Sequence, residues 1–139
     1  MPQDDTQTVR SFYHAFARRD AQLLTELLDP QIEWTSAENF LYADQSPYVG
    51  VDAVLKLLFG RLLVDWDDFA MSPGEILGGG EIVIARGRFR GTFKANGAPI
   101  NAQFAQVFQF KDGKVAKCQM YTDTAQFKET ISRIRSVSA

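Results

Sequence analysis

Hydrophobic positions change period along this chain. Up to about residue 64 they recur mostly at helical spacing, and beyond it they alternate, the pattern of half-buried strands. Val9, Phe12, Tyr13 and Phe16 form the stripe of a first helix ending near Arg18, with Asp4, Asp5 and Thr6 supplying caps and dipole-matching charge. Leu23, Leu24, Leu27 and Leu28 mark a short second helix, Ala21 to Leu28. Asp29-Pro30 stops it, because proline disfavours helical backbone in the residue before it. Ile32-Glu33-Trp34-Thr35-Ser36 then alternates as a strand with Ile32, Trp34 and Ser36 on one face. Glu38 joins that face if the extended conformation persists. Residues 39–50 read as a loop, yet they hold Phe40, Leu41, Tyr42, Tyr48 and Val49. A loop this aromatic is expected to fold back onto the body or over a pocket. A third helix, about Val51 to Val64, carries Val54, Leu57, Leu58 and Leu62 at helical spacing.

From Trp66 onward the pattern predicts strands over roughly 67–77 and 82–93, separated by Gly78-Gly79-Gly80. The glycine run leads into another strand and not into a helix, so it reads as a turn and not as a phosphate loop. In the second of these strands Arg86, Arg88 and Arg90 share one face, while Val83, Ala85, Gly87, Phe89, Gly91 and Phe93 share the other. The arginine row reads as a solvated sheet face or part of a subunit contact, with anion binding as the alternative. Asn96-Gly97 marks a turn. Asn101 to Asp123 then reads as a hairpin turning at Lys111-Asp112-Gly113-Lys114. One face carries Ala102, Phe104, Gln106, Phe108 and Phe110 from its first strand, with Ala116, Cys118, Met120 and Thr122 from its second. Gln106 stands out, because an amide in an apolar surface is costly unless something hydrogen-bonds it. Asp123 caps a last helix, Thr124 to about Arg135, with Phe127, Ile131 and Ile134 as its stripe. The order of elements predicts an α+β fold, a curved and largely antiparallel sheet wrapped over the N-terminal helices with a pocket between them.

Composition narrows the classes of function. At 139 residues the chain is expected to form one domain, 1–139, large enough for a real core. Fifteen basic against 17 acidic side chains give no polyelectrolyte signature, so neither nucleic acid nor a charged membrane surface is an expected partner. Cys118 is the single cysteine, which excludes an internal disulfide and a cysteine zinc cluster, and with one histidine no metal or other cofactor is expected. The polar, acidic start and the lack of a long apolar run point to a cytoplasmic location.

Several stretches resemble the SnoaL-like, ketosteroid-isomerase-related branch of the nuclear transport factor two superfamily. They are Phe12-Tyr13-His14-Ala15-Phe16 with Asp20, Glu33 to Ala43, Gly50-Val51-Asp52-Ala53-Val54, Gly87 to Lys94, Phe104-Ala105-Gln106-Val107-Phe108, and Asp112-Gly113-Lys114 followed by Tyr121 to Ala125. The resemblance implies a cystatin-like cone with a small-molecule pocket, and homodimers are common in that fold. It does not fix a reaction, since the fold hosts isomerases, cyclases, dehydratases, hydrolases and binding modules. Steroid isomerases of this fold use an aspartate on the first strand, a tyrosine from the first helix and a protonated aspartate on the penultimate strand. By alignment those places hold Trp34, Phe12 and Gln106 here. The acid that a similar epoxide hydrolase keeps on the last strand falls at Met120.

The chemistry left centres on Glu38 and Gln106. Shielded from water, Glu38 would act as a general acid or base near neutrality, and exposed it is an ordinary loop glutamate. Gln106 is either a neutral donor to a carbonyl or enolate oxygen or the partner of a buried tyrosine such as Tyr42 or Tyr48. Trp34, Ser36, Phe40, Tyr42, Tyr48, Phe104, Phe108, Cys118, Met120 and Thr122 are the expected ligand-binding lining. One hypothesis is a cofactor-free enzyme acting on a hydrophobic carbonyl compound, with Glu38 and Gln106 as its catalytic pair. The others are a non-catalytic module binding an apolar ligand and a dimerising scaffold that works through the outer sheet face. An interior filled by its own side chains would favour the scaffold.

Overall fold

The computed structural model of the protein describes residues 4–134. Helix α1 (Asp5–Ala17) is capped by the Asp4 carboxylate, which accepts from the Thr6 amide, and helix α2 (Ala21–Leu27) is capped in the same way by Asp20. The second helix ends at Leu27, because Leu28 is already extended and opens strand β1 (Leu28–Thr35). Pro30 therefore lies inside a strand, within the irregular stretch of pairing between Leu28 and Glu33, where a missing amide breaks no ladder bond. A two-residue strand, β2 (Tyr48–Val49), follows the aromatic loop. Residues 51–65 are helical, but Ala53–Phe59 is wound as a π-helix before the closing turn α3 (Gly60–Asp65).

Strands β3 (Trp66–Gly79), β4 (Ile82–Phe93), β5 (Pro99–Lys111) and β6 (Lys114–Thr122) complete a six-stranded sheet in the order β2-β1-β6-β5-β4-β3. Among the described residues only the β1–β6 pairing is parallel. Helix α4 (Thr124–Ser132), capped by Asp123, ends before Ile134, which is exposed and not part of its stripe. The expected end of this helix near Arg135 lies outside the described residues.

Bulges give the sheet its curvature and decide which residues face inward. The β3–β4 register shifts between Asp67 and Ala70, where Asp68 is left-handed at φ 54°, so Trp66 and Phe69 are both buried. A second shift between Pro73 and Glu75 brings the Ser72 carbonyl so close to Gly87 that a Cβ there would sit 2.1 Å from it, and only glycine fits. A third shift, between Gln109 and Phe110, alters the hairpin. It gives Val115 the core position that strict alternation assigns to Ala116. The described residues form one contiguous apolar cluster between the concave face of the sheet and α1, the helical segment and α4. No described helix is long and apolar enough to cross a membrane.

Candidate functional site

Gln106 stands at the centre of the sheet, opposite Ala85 on β4 and Met120 on β6, and it is fully buried. Its Oε1 accepts a hydrogen bond from the hydroxyl of Tyr13, which α1 lowers onto the sheet. That tyrosine is buried among Phe12, Phe104 and Phe108, with ring centroids 5.3, 6.1 and 6.2 Å away. Burial pushes its pKa far up, and neighbouring Cys118 adds to the effect, so the phenol stays neutral and donates. The other end of the amide is poorly served. Among the described residues the hydrogen-bonding neighbour of Gln106 Nε2 is the Met71 sulfur, 3.8 Å away, and a thioether is a weak acceptor for a group with two donors.

A small cavity adjoins this amide. Trp34, Phe40, Phe59, Met71 and Met120 surround it together with Gln106, and its volume is about 10 Å³, at the margin of what one water needs. Packing is edge-to-face in many places: Trp34 meets Phe59 at 5.3 Å and 87°, and Phe40 meets Phe127 at 5.1 Å and 84°. The site is thus an aromatic and methionine-rich interior, almost filled, with one under-satisfied amide.

The expected site residues separate into four places. Trp34, Phe40, Met120 and Gln106 meet at the cavity. Phe104, Phe108 and Cys118 are buried nearby without lining it, and burial raises the Cys118 thiol pKa. Glu38, Ser36 and Thr122 border a shallow groove of about 510 Å³ where β1 and β6 end, shared with Tyr121. Extended backbone does not persist to Glu38. A turn from Ala37 to Phe40, with Asn39 left-handed at φ 68°, sends Phe40 inward and leaves Glu38 exposed. Glu38 and Gln106 therefore do not share a cavity.

Tyr42 and Tyr48 do not reach Gln106 either. The Tyr42 hydroxyl donates to Asp65 at 2.7 Å and accepts from Trp66 Nε1 at 3.2 Å. The Tyr48 hydroxyl donates to the Tyr42 carbonyl and accepts from Arg61. Arg61 also grips Asp44 through two bonds of 2.9 and 3.1 Å, and its guanidinium lies 5.2 Å from the centre of the Tyr42 ring. Burial raises the pKa of both tyrosines, and the bond to Asp65 pushes Tyr42 higher still.

Sequence reasoning missed Tyr13 and Met71 as site residues. Tyr13 carries the only hydroxyl on the stripe Val9, Phe12, Tyr13, Phe16, and that signal marks it for a buried polar partner. Alignment put Phe12 at the tyrosine position of the steroid isomerases, but a phenol does reach the penultimate strand, from the next residue. Among the described residues no group of three or more His, Cys, Asp or Glu side chains is placed to hold a metal ion.

Solved structures share this architecture, three of them as follows. An NTF2-like protein from Burkholderia thailandensis is 27% identical with a TM-score of 0.88, over 94% of this chain and 99% of that one. An NTF2-like protein of unknown function from Burkholderia pseudomallei is 26% identical with a TM-score of 0.84, over 94% and 100% of the two chains. IdmH from Streptomyces antibioticus, itself a proposed polyketide cyclase, is 18% identical with a TM-score of 0.79, over 94% and 100%, a likeness of fold alone. A comparison with curated proteins finds no match. The family model for the SnoaL-like domain matches residues 9–118, and the chain belongs to that family.

Proposed function

We propose that this protein binds a hydrophobic carbonyl compound in its interior, with Gln106 Nε2 donating to the carbonyl oxygen and Tyr13 holding the amide in place. The observation that carries this reading is the buried amide whose two N–H groups find, among the described residues, a thioether as their hydrogen-bonding neighbour. A carbonyl oxygen is the acceptor this position lacks, and an apolar aromatic wall suits the rest of such a molecule. The role is binding and orientation. Glu38, the carboxylate proposed for proton transfer, is outside the cavity, and the groups beside Gln106 are a neutral phenol and a thioether. A cyclase-type role, in keeping with IdmH, would then rest on folding a reactive chain and polarising its carbonyl, not on an internal base.

The test uses near-isosteric probes. Acetophenone is expected to bind the full chain more tightly than ethylbenzene, as read by tryptophan fluorescence or calorimetry, and Gln106→Leu should erase that preference. Equal binding of the two probes by the unmodified protein would remove the carbonyl from the proposal.

A second reading is favoured by the near-filled interior. Across the outer face, Glu75, Arg86, Arg88, Gln103 and Tyr121 line a groove of about 660 Å³, with Arg88 braced on Asn101 at 2.6 Å, and a second copy of the chain is the proposed occupant. Arg88→Glu should then lower the mass seen in gel filtration from dimer to monomer. A monomer before the change would end this reading.

A further inference from the structure

The cavity is closed on one side by a segment unlike its other walls. Residues 36–47 cross between β1 and β2 with no strand pairing, apart from one short 3₁₀ turn, Ala43–Gln45. Phe40 is the residue of this strap that reaches the cavity, and it is buried. Its ring stands edge-on to Phe127 at 5.1 Å and to Tyr42 at 5.7 Å, an aromatic seat beside Gln106. On the same side of the cavity, Leu58 and Phe59 belong to the π-helix, a winding that is rare and often found at functional sites.

The strap is tied down inside by the Tyr42 bonds to Asp65 and Trp66 and by the Tyr48 hydroxyl on the Tyr42 carbonyl, and outside by one ion pair. Asp44 is held by Arg61, both partly exposed, and a solvated ion pair of this kind contributes little to stability. Tyr48 accepts from the same arginine. Opening the strap breaks these contacts and the Tyr42 bonds to Asp65 and Trp66, but no ladder of the sheet.

We infer that the strap is the entrance to the interior site, latched by Asp44 and Arg61, and that Phe40 is a plug whose place is taken by the ring of an aromatic carbonyl ligand. The inference rests on the carbonyl-binding reading for the ligand, while the entrance stands on geometry alone. In the closed protein Phe40 fills the seat that its own aromatic neighbours define. When an aromatic ring replaces it, the edge-to-face contacts are recovered and the carbonyl comes within reach of Gln106. Part of the binding energy is then used to displace the plug, and removing the plug should raise affinity.

Two arms test this separately. The first needs no ligand. The two tryptophans of the chain, Trp34 and Trp66, are both buried behind the strap, so acrylamide quenching of the full chain reports opening. Phe40→Ala should raise the quenching constant several-fold and Asp44→Asn should raise it less. Leu24→Ala, a core truncation in α2, should leave it unchanged. Quenching by Phe40→Ala and Asp44→Asn at the level of the unmodified protein would overturn the entrance, and so would an equal rise with Leu24→Ala.

The second arm compares acetophenone with cyclohexyl methyl ketone. Phe40→Ala should bind acetophenone several-fold more tightly than the unmodified chain does, and acetophenone more tightly than the saturated ketone. Equal affinity for the two ketones overturns the aromatic ligand. Loss of discrimination between acetophenone and ethylbenzene, with quenching raised, locates the failure in the carbonyl reading instead.

Discussion

The two walls of the interior are built on different principles. On the sheet side, Phe89, Gln106 and Met120 stand on strands bonded to neighbours along both edges, so their positions are fixed by backbone ladders. Opposite them, Phe40 hangs from an irregular strap, and Leu58 and Phe59 from a π-helix. The polar anchor sits on the wall that cannot move, and the plug sits on the wall that can. Stability distributed unevenly in this way is how a protein combines a defined anchor with access to it.

The sharpest way to break that comparison is to remove one aromatic ring from each wall. Phe108 is fully buried on β5, with Phe12, Tyr13 and Trp34 at 5.7, 6.2 and 6.4 Å. Phe108→Ala should cost about 3–5 kcal/mol in urea unfolding, since the ladders around it prevent collapse into the hole. Phe40→Ala removes the same atoms from a strap that can settle, and should cost about 2 kcal/mol less. Equal losses would mean that the strap is as rigid as the sheet.

How much of this was legible in the sequence depended on periodicity. Where alternation runs unbroken, as from Ala102 to Phe108, it placed every inward residue, including the amide. Bulges defeated it, because one extra residue reverses parity. Strict alternation puts Ala116 in the core that Val115 fills, and a turn has the same effect at Glu38, where the Ala37–Phe40 turn leaves the face that alternation predicts. The lining contributed by Phe40 followed from a loop too aromatic to be solvated, whereas its closeness to Gln106 depends on long-range packing that no local pattern encodes. Likewise the stripe of α1 named Tyr13 as inward. That its hydroxyl meets Gln106, 93 residues away in the sequence, and not Tyr42 or Tyr48, required the distance between helix and sheet.

A double-mutant cycle sharpens the account of the rigid wall. Gln106→Leu leaves the Tyr13 hydroxyl buried without an acceptor, and Tyr13→Phe leaves Oε1 without its donor, each at an expected cost of about 1–3 kcal/mol. Together the two changes replace a buried polar pair by apolar groups of similar shape, which is often nearly neutral. A coupling energy above about 1 kcal/mol, read from urea midpoints, is the expected result. Simple additivity would show that the two side chains do not act as a pair, and the anchor would lose its positioning residue.

The smallest effect belongs to the latch, where pH is the gentlest probe. The Arg61 hydrogen bonds hold the Asp44 carboxyl below its ordinary value of 3.8, so the attraction is complete above that value and is lost as pH falls through the lower, folded one. Arg61 is pushed up by Asp44 and Tyr48 is pushed up by burial, so neither changes charge near neutrality. Amide exchange of residues 36–47, corrected for its intrinsic rate, should therefore be flat from about pH 5 to pH 8 and rise only in acid. Asp44→Asn should show the faster exchange at every pH and lack the added acid step, which separates the latch from general acid unfolding. An acid step of the same size in the variant would remove Asp44 as the latch.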